Sequence, residues 1–340
     1  MKPNRRQWLR WTLGAPVAAC ATGTAITSLA ATPQAGGLVW RERALLGFGT
    51  TLWLRAAHAQ AERADRALDD TVALLRHLHA QLSLFDPDSA VCRLNREGNL
   101  RHPDPDLLAV LQLARQVSAR SQGAFDITVQ PLWALWQRTH AQGRRPGQAE
   151  LADARARVDW RAVQATEQAV TLARPGMAIT LNGIAQGHAA ERARALMQRH
   201  GITDALLDTG EWAPIGHSPD GGPWRLGLAS PRDSQRILRT LQADGRGIAV
   251  STDATLRFGS APDDDRDHHI LDPRTGRSPP HLSAVAVMAA SPALADALTK
   301  VVFMGTADQA LARARHWGVD VVAVDKRGRV SDSRPAAASG

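Results

Sequence analysis

Between residues 59 and 83 the chain places Ala64, Leu68, Val72, Leu75, Leu78 and Leu82 at spacings of three and four, with charged and polar residues between them. That periodicity puts the apolar side chains on one face of an α-helix of about seven turns. A single apolar stripe on so long a helix is stable only when another layer covers it. Asp86-Pro87-Asp88-Ser89 then breaks the pattern into a loop. The rest of the chain must therefore supply a sheet or further helices for this stripe to lie on.

Both kinds of element can be read. Residues 45–54 look like a strand interrupted by a turn or bulge at Gly49-Thr50-Thr51. A second helix is expected over 106–121, closed by Gly123, and a polar turn over 143–147. Short β-like runs follow at 162–165, 169–173 and 178–181. Residues 187–200 read as a helix stopped by Gly201. Strands alternate with turns from 205 to 251. After them come an apolar strand over 282–289, helices over 292–304 and 308–317, and a last strand over 319–324. A β-meander with packed helices is an α+β pattern rather than a doubly wound parallel sheet.

The first 31 residues belong to a different class. Arg5-Arg6 precede Trp8-Leu9, and a weak stretch of small and apolar residues follows, broken by Gly14 and Pro16. This is the pattern of a twin-arginine export signal, which a receptor reads as an address. It is too weak for the ~20 apolar residues of a transmembrane helix. Two processing sites are legible: Val17-Ala18-Ala19-Cys20 resembles a lipobox that would lipidate Cys20, and Ser28-Leu29-Ala30 is an ordinary cleavage site. Export leads to the expectation of a periplasmic protein, soluble unless anchored through Cys20. The net charge of +8 includes Lys2, Arg5, Arg6 and Arg10 of this leader. The remaining charges are interleaved, which argues against a nucleic-acid partner. Beyond the leader the only lysines are Lys300 and Lys326.

No Gly-x-Gly-x-x-Gly, Walker-type Gly-Lys-Ser/Thr or Gly-x-Ser-x-Gly occurs in a fitting context. Four other stretches stand out. They are residues 82–89 running into Arg93-Leu94-Asn95; Gly123-Ala124-Phe125-Asp126-Ile127-Thr128-Val129-Gln130-Pro131-Leu132-Trp133; Asn182-Gly183-Ile184-Ala185-Gln186-Gly187, followed by Leu207-Asp208-Thr209-Gly210-Glu211; and His268-His269-Ile270-Leu271-Asp272-Pro273-Arg274-Thr275-Gly276, with Asp296 beyond. Glycines ahead of a helix let backbone amides approach a phosphate, and a nearby aspartate can hold a divalent cation.

These stretches, in this order, resemble the ApbE family of FAD:protein FMN transferases, and most closely its NosX-like branch. The resemblance implies an ApbE-like, T-fold-related α+β fold: antiparallel sheets with packed helices in a single large two-lobed domain over 38–330, before a disordered tail at 331–340. It implies that a hydroxyl of a partner protein attacks the FMN-side phosphorus of FAD and AMP leaves. It implies a magnesium ion held by Asp296 and the carbonyl of Ala185, and it implies His269 as the base. Asn95, Gly183, Gly187, Gly210, Glu211 and Thr252 become candidate FAD contacts, whereas Phe125, Asp126 and Pro131 are as easily structural. The implied acceptor is a membrane-bound flavoprotein, NosR-like in the branch named.

One position departs from the family pattern in a way that matters. A metal-binding threonine is expected four residues after Asp296, and Lys300 stands there. Thr299 lies one place early, about 100° around the helix, and is expected to serve the metal only if the helix shifts. Asp296 and Lys300 also form an i,i+4 pair in the favourable order, so a plain helix salt bridge is an open reading. The other is that the ammonium occupies the magnesium position, contacts FAD and leaves a flavin carrier with weakened or no transfer. Further departures are Phe48 before Gly49-Thr50, Thr209-Gly210 for a Gly-Gly, and Asp253 for the glycine of a Thr-Ser-Gly.

Overall fold

The computed structural model describes residues 9–10, 37–258 and 266–334. Arg5-Arg6, Cys20, residues 28–30 and residues 335–340 lie outside the described residues. Leu9 and Arg10 pair with Leu228 and Gly227, a contact that processing of the leader would remove.

The frame is an eight-stranded sheet. Its strands are Val39–Gly47 (β1), Thr50–His58 (β2), Asp204–Asp208 (β3), Trp212–Ile215 (β4), Gly247–Thr252 (β5), Leu282–Ala289 (β6), Asp320–Asp325 (β7) and Val330–Asp332 (β8). They lie in the sheet in the order of the chain, every neighbour antiparallel. The sheet is thus one long meander, and everything else is inserted between its strands. The largest insertion, between β2 and β3, carries six helices: Ala61–Leu82 (α1), Ala90–Glu97 (α2), Pro105–Arg120 (α3), Gln130–Ala141 (α4), Gln148–Arg155 (α5) and Ala185–Arg199 (α6). A small sheet of Asn99–Arg101, Ala169–Leu172 and Val163–Ala165 lies among them. Pro292–Phe303 (α7) and Ala307–Trp317 (α8) join β6 to β7.

The apolar stripe of α1 is buried as expected, with Ala64, Leu68, Val72, Leu75, Leu78 and Leu82 all in the interior. It lies on β1 and β2 beside α6, and α7 continues the same helical layer over β5 and β6. The opposite face of the sheet is covered by a hairpin, Arg225–Ala229 with Ile237–Gln242, around Trp40, Trp212 and Trp224. Covering on both faces explains why all eight residues of β6 are buried. Val285, Val287 and Ala289 face the helices, while Ala284, Ala286 and Met288 face the hairpin. Leu282 shares the helical side because the register shifts between Leu282 and Ala284. The expected α+β architecture of antiparallel sheets with packed helices is thus the one observed.

Several element boundaries differ from expectation. Residues 45–54 are the turn end of a hairpin of two nine-residue strands, because Phe48 (φ 51°) and Gly49 (φ 76°) make a left-handed two-residue turn. Residues 178–181 form no strand. Helices α2, α4 and α5 depart from expectation: α2 and α5 are only eight residues long, and α4 begins inside a motif stretch. Ser331 and Asp332 pair with Ala323 and Val322, so the sheet runs past the boundary expected at 330.

Candidate active site

Three of the four motif stretches meet around the start of α6. Ile184, its N-cap, supplies no side-chain cap, although the first amides of a helix lack intrahelical partners. A cap arrives from another helix: the N–H of Gly187 donates to Asp296 Oδ2 at 3.1 Å. A carboxylate there also answers the positive end of the α6 dipole. α6 and α7 approach so closely that a Cβ on Gly187 would lie 2.4 Å from the Pro292 carbonyl oxygen and 2.7 Å from Asp296 Cβ. Ser291 holds the start of α7, its hydroxyl accepting from Leu294 N–H at 3.1 Å and donating to Glu191 of α6.

The second oxygen of the same carboxylate faces a cation. Lys300 Nζ donates to Asp296 Oδ1 at 2.8 Å and to Thr299 Oγ1 at 3.0 Å, with the Asp296 carbonyl oxygen at 3.5 Å. Asp296 is fully buried, whereas 19% of the Lys300 side chain remains exposed. The lysine stem runs across Gly183, where a Cβ would come within 3.0 Å of Lys300 Cε and 3.4 Å of the Phe125 ring. Thr299 needs no helix shift to reach this place, contrary to expectation. Its hydroxyl, 2.6 Å from the Asp296 carbonyl and 2.8 Å from Ser251 Oγ, already lies on the lysine side. Ser251, the first residue of the stretch standing for the Thr-Ser-Gly, was given no role in the sequence, because its partner Thr299 is 48 positions away.

These donors do not fit a magnesium ion while Lys300 is in place. Magnesium takes near-octahedral oxygens at about 2.1 Å. Here one carboxylate oxygen holds an ammonium, the other caps α6, and the Thr299 hydroxyl bonds to Ser251 and its own helix. Ala185, the remaining expected ligand, opens α6 two residues before Gly187.

Several of the other candidate contacts also bond within the fold. The Asn95 amide donates to the Ile179 carbonyl at 2.8 Å and accepts from Ile179 N–H at 2.7 Å, pinning the chain before α6 to α2. Glu211 is buried and accepts from Val250 N–H at 2.9 Å, tying β4 to β5. Gly210 has φ 97°, and a Cβ there would collide with the Gln186 side chain. The Thr252 hydroxyl accepts from Ala254 N–H within a turn. Asp126 accepts from the Thr128 backbone and hydroxyl and from Trp160 N–H. Burial raises its carboxyl above the ordinary value despite those bonds. Pro131 lies in the first turn of α4.

The histidine segment is held on α4 and α7. Trp136 Nε1 donates to the Gly276 carbonyl at 2.8 Å, and Trp136 stacks on Phe258. His268 is buried against the Phe303 ring of α7. Its neighbour His269 is half-buried, with Nδ1 3.3 Å from the Leu256 carbonyl oxygen. Nearby, Asp272 accepts from Arg274 through both carboxylate oxygens.

The family profile of ApbE matches residues 48–323, most of the chain. The chain belongs to the ApbE family. It is 30% identical to the FAD:protein FMN transferase of Salmonella typhimurium over 258 residues, 73% of each chain. It is 28% identical to the protein of that name from Escherichia coli, again over 73% of each. Among solved structures, the ApbE protein from Thermotoga maritima superposes with a TM-score of 0.77 at 24% identity, covering 87% of this chain and 97% of that one. The apo flavinyl transferase ApbE of Pseudomonas stutzeri gives 0.74 at 25% identity, covering 87% and 95%. Gly183, Gly187 and Asp296 are therefore met in the expected fold, with Lys300 beside them.

Proposed function

We propose that this ApbE-family chain is an FAD:protein FMN transferase acting on a threonine or serine of a membrane-bound flavoprotein. The observation that carries the reading is the cradle at the start of α6, where Gly183 and Gly187 lie beside the Asp296–Lys300 pair. Close backbone amides, a helix N-terminus and a cation together suit a diphosphate. The acceptor oxygen attacks the FMN-side phosphorus and passes its proton to His269; the bond to the AMP oxygen breaks, and AMP departs. Positioning and charge neutralisation supply most of the catalysis in such a step.

The twin-arginine leader supports a site of action outside the inner membrane, and export of a folded chain would let FAD cross already bound. The acceptor best fitting the NosX-like motifs is a NosR-like flavoprotein; anchoring through Cys20 would place both on one membrane. Purified protein given FAD and this acceptor should release AMP and leave FMN covalently attached, read by mass spectrometry. FAD that remains intact with a competent acceptor would refute transfer. A second reading, a flavin carrier without transfer, is favoured by the Lys300–Asp296 contact. It requires tight FAD binding with no AMP formed, and Lys300→Thr with magnesium should then raise the yield. Rerouting the chain through an unfolded-chain export pathway should deliver it without flavin.

A further inference from the structure

We infer that the Lys300 ammonium is the resident cation of this site and that the chain holds the FAD diphosphate without a divalent metal. The inference rests on the reading of the chain as an FAD-binding protein. Nζ reaches Asp296 Oδ1 at 2.8 Å, Thr299 Oγ1 at 3.0 Å and the Asp296 carbonyl at 3.5 Å. Those are carboxylate, hydroxyl and carbonyl oxygens, the donor types a hard cation takes, and here they converge on a nitrogen with three protons to give.

A surface i,i+4 pair would look different. Both partners would stand in water, whereas Asp296 is fully buried and only 19% of Lys300 is exposed. The lysine stem is also accommodated: it crosses Gly183 so closely that a Cβ there would crowd Lys300 Cε at 3.0 Å. Composition points the same way. Only two lysines lie beyond the leader, and each donates to a fully buried aspartate, Lys300 to Asp296 and Lys326 to Asp253. A compact ammonium fits such a place, where a guanidinium fork would not.

Charge decides between the two cations. The single negative charge of Asp296 is already balanced by Lys300, and the α6 N-terminus adds a partial positive charge. A divalent ion on Oδ1 would face the ammonium at close range, and among the described residues no cluster of metal-binding side chains includes Asp296 to offset it. A diphosphate brings the negative charge that this arrangement lacks, and the exposed part of Lys300 gives it access.

The test uses the purified full chain. Manganese(II), titrated against protein without FAD and followed by the EPR signal of the free ion, should remain unbound by the wild type and bind to Lys300→Thr. FAD affinity, read from flavin fluorescence, should change less than about twofold between EDTA and magnesium in the wild type. In Lys300→Thr it should tighten about tenfold or more with magnesium, about 1.4 kcal/mol. Stoichiometric manganese binding by the wild type, or a tenfold loss of its FAD affinity in EDTA, would overturn the inference. Both decisive measurements are on the wild type, so they stand even if Lys300→Thr misfolds. If FAD binds under neither condition, the proposed function fails, while the manganese titration still decides which cation the site takes.

Discussion

Asp296 shows how one side chain can hold a fold and a site together. One oxygen caps α6 and the other binds Lys300, so its environment comes from residues over a hundred positions apart. Gly187 is constrained by the same contact. Gly187→Ala should cost about 1–3 kcal/mol through overpacking against Pro292 and Asp296, seen as a lower denaturant midpoint with an unchanged slope. Asp253 is a second buried carboxylate, held by Arg232, Lys326 and more distantly Arg257. Burial alone would raise its carboxyl, yet the Arg232 and Lys326 bonds outweigh that and hold it below its ordinary value of 3.8. A depressed folded-state pKa gives stability that is present above about pH 3.8 and lost as pH falls through the folded value. Wild-type stability should therefore decline on acidification below that point. Asp253→Asn should be about 2 kcal/mol less stable at neutral pH, the part-exposed cations softening the cost of a broken pair, and the two should converge in acid. Parallel urea midpoints across pH would check this; a constant gap would assign the loss to packing.

At the scale of elements, α7 is positioned by its N-cap residue. Ser291 caps its own helix and bonds to Glu191 of α6, and Pro292 follows at the first helical position, where its missing N–H costs nothing. Ser291→Ala should lower stability by about 1 kcal/mol, measurable by thermal unfolding. Because the cap also ties α7 to α6, FAD affinity should weaken with it. Helices with strong periodicity, α1, α3, α7 and α8, were legible in advance within a residue or two. The short α2 and α5 were not, since eight residues offer too few turns for a period to emerge, and α4 begins inside a motif stretch with Pro131 in its first turn. The β1–β2 hairpin was read as one strand because Phe48, a bulky residue, adopts the left-handed conformation that sequence patterns reserve for glycine or asparagine.

Across the whole molecule, the meander places β6 at the centre of burial and β8 at an edge. Hydrogen exchange should follow that order, with amides of Val285 to Met288 slowest and those of Val330 to Asp332 among the fastest in the sheet. Uniform protection across the strands would contradict the two-faced covering described above. Among the described residues no helix is long and apolar enough to cross a membrane. The sequence by itself determined the α+β class, the stripe of α1, the four motif stretches and the oddity of Lys300, because periodicity, glycine and charge type are local properties. It could not assign roles within the motifs. Asn95, Gly210 and Glu211 look like ligand contacts in a linear reading, which does not show that they also brace loop and sheet. Only the tertiary structure decided that Asp296 caps a distant helix, that Thr299 reaches the site without a shift, and that Ser251 joins it. Those facts depend on how closely α6, α7 and β5 approach, a distance set by packing rather than by any neighbour in the chain.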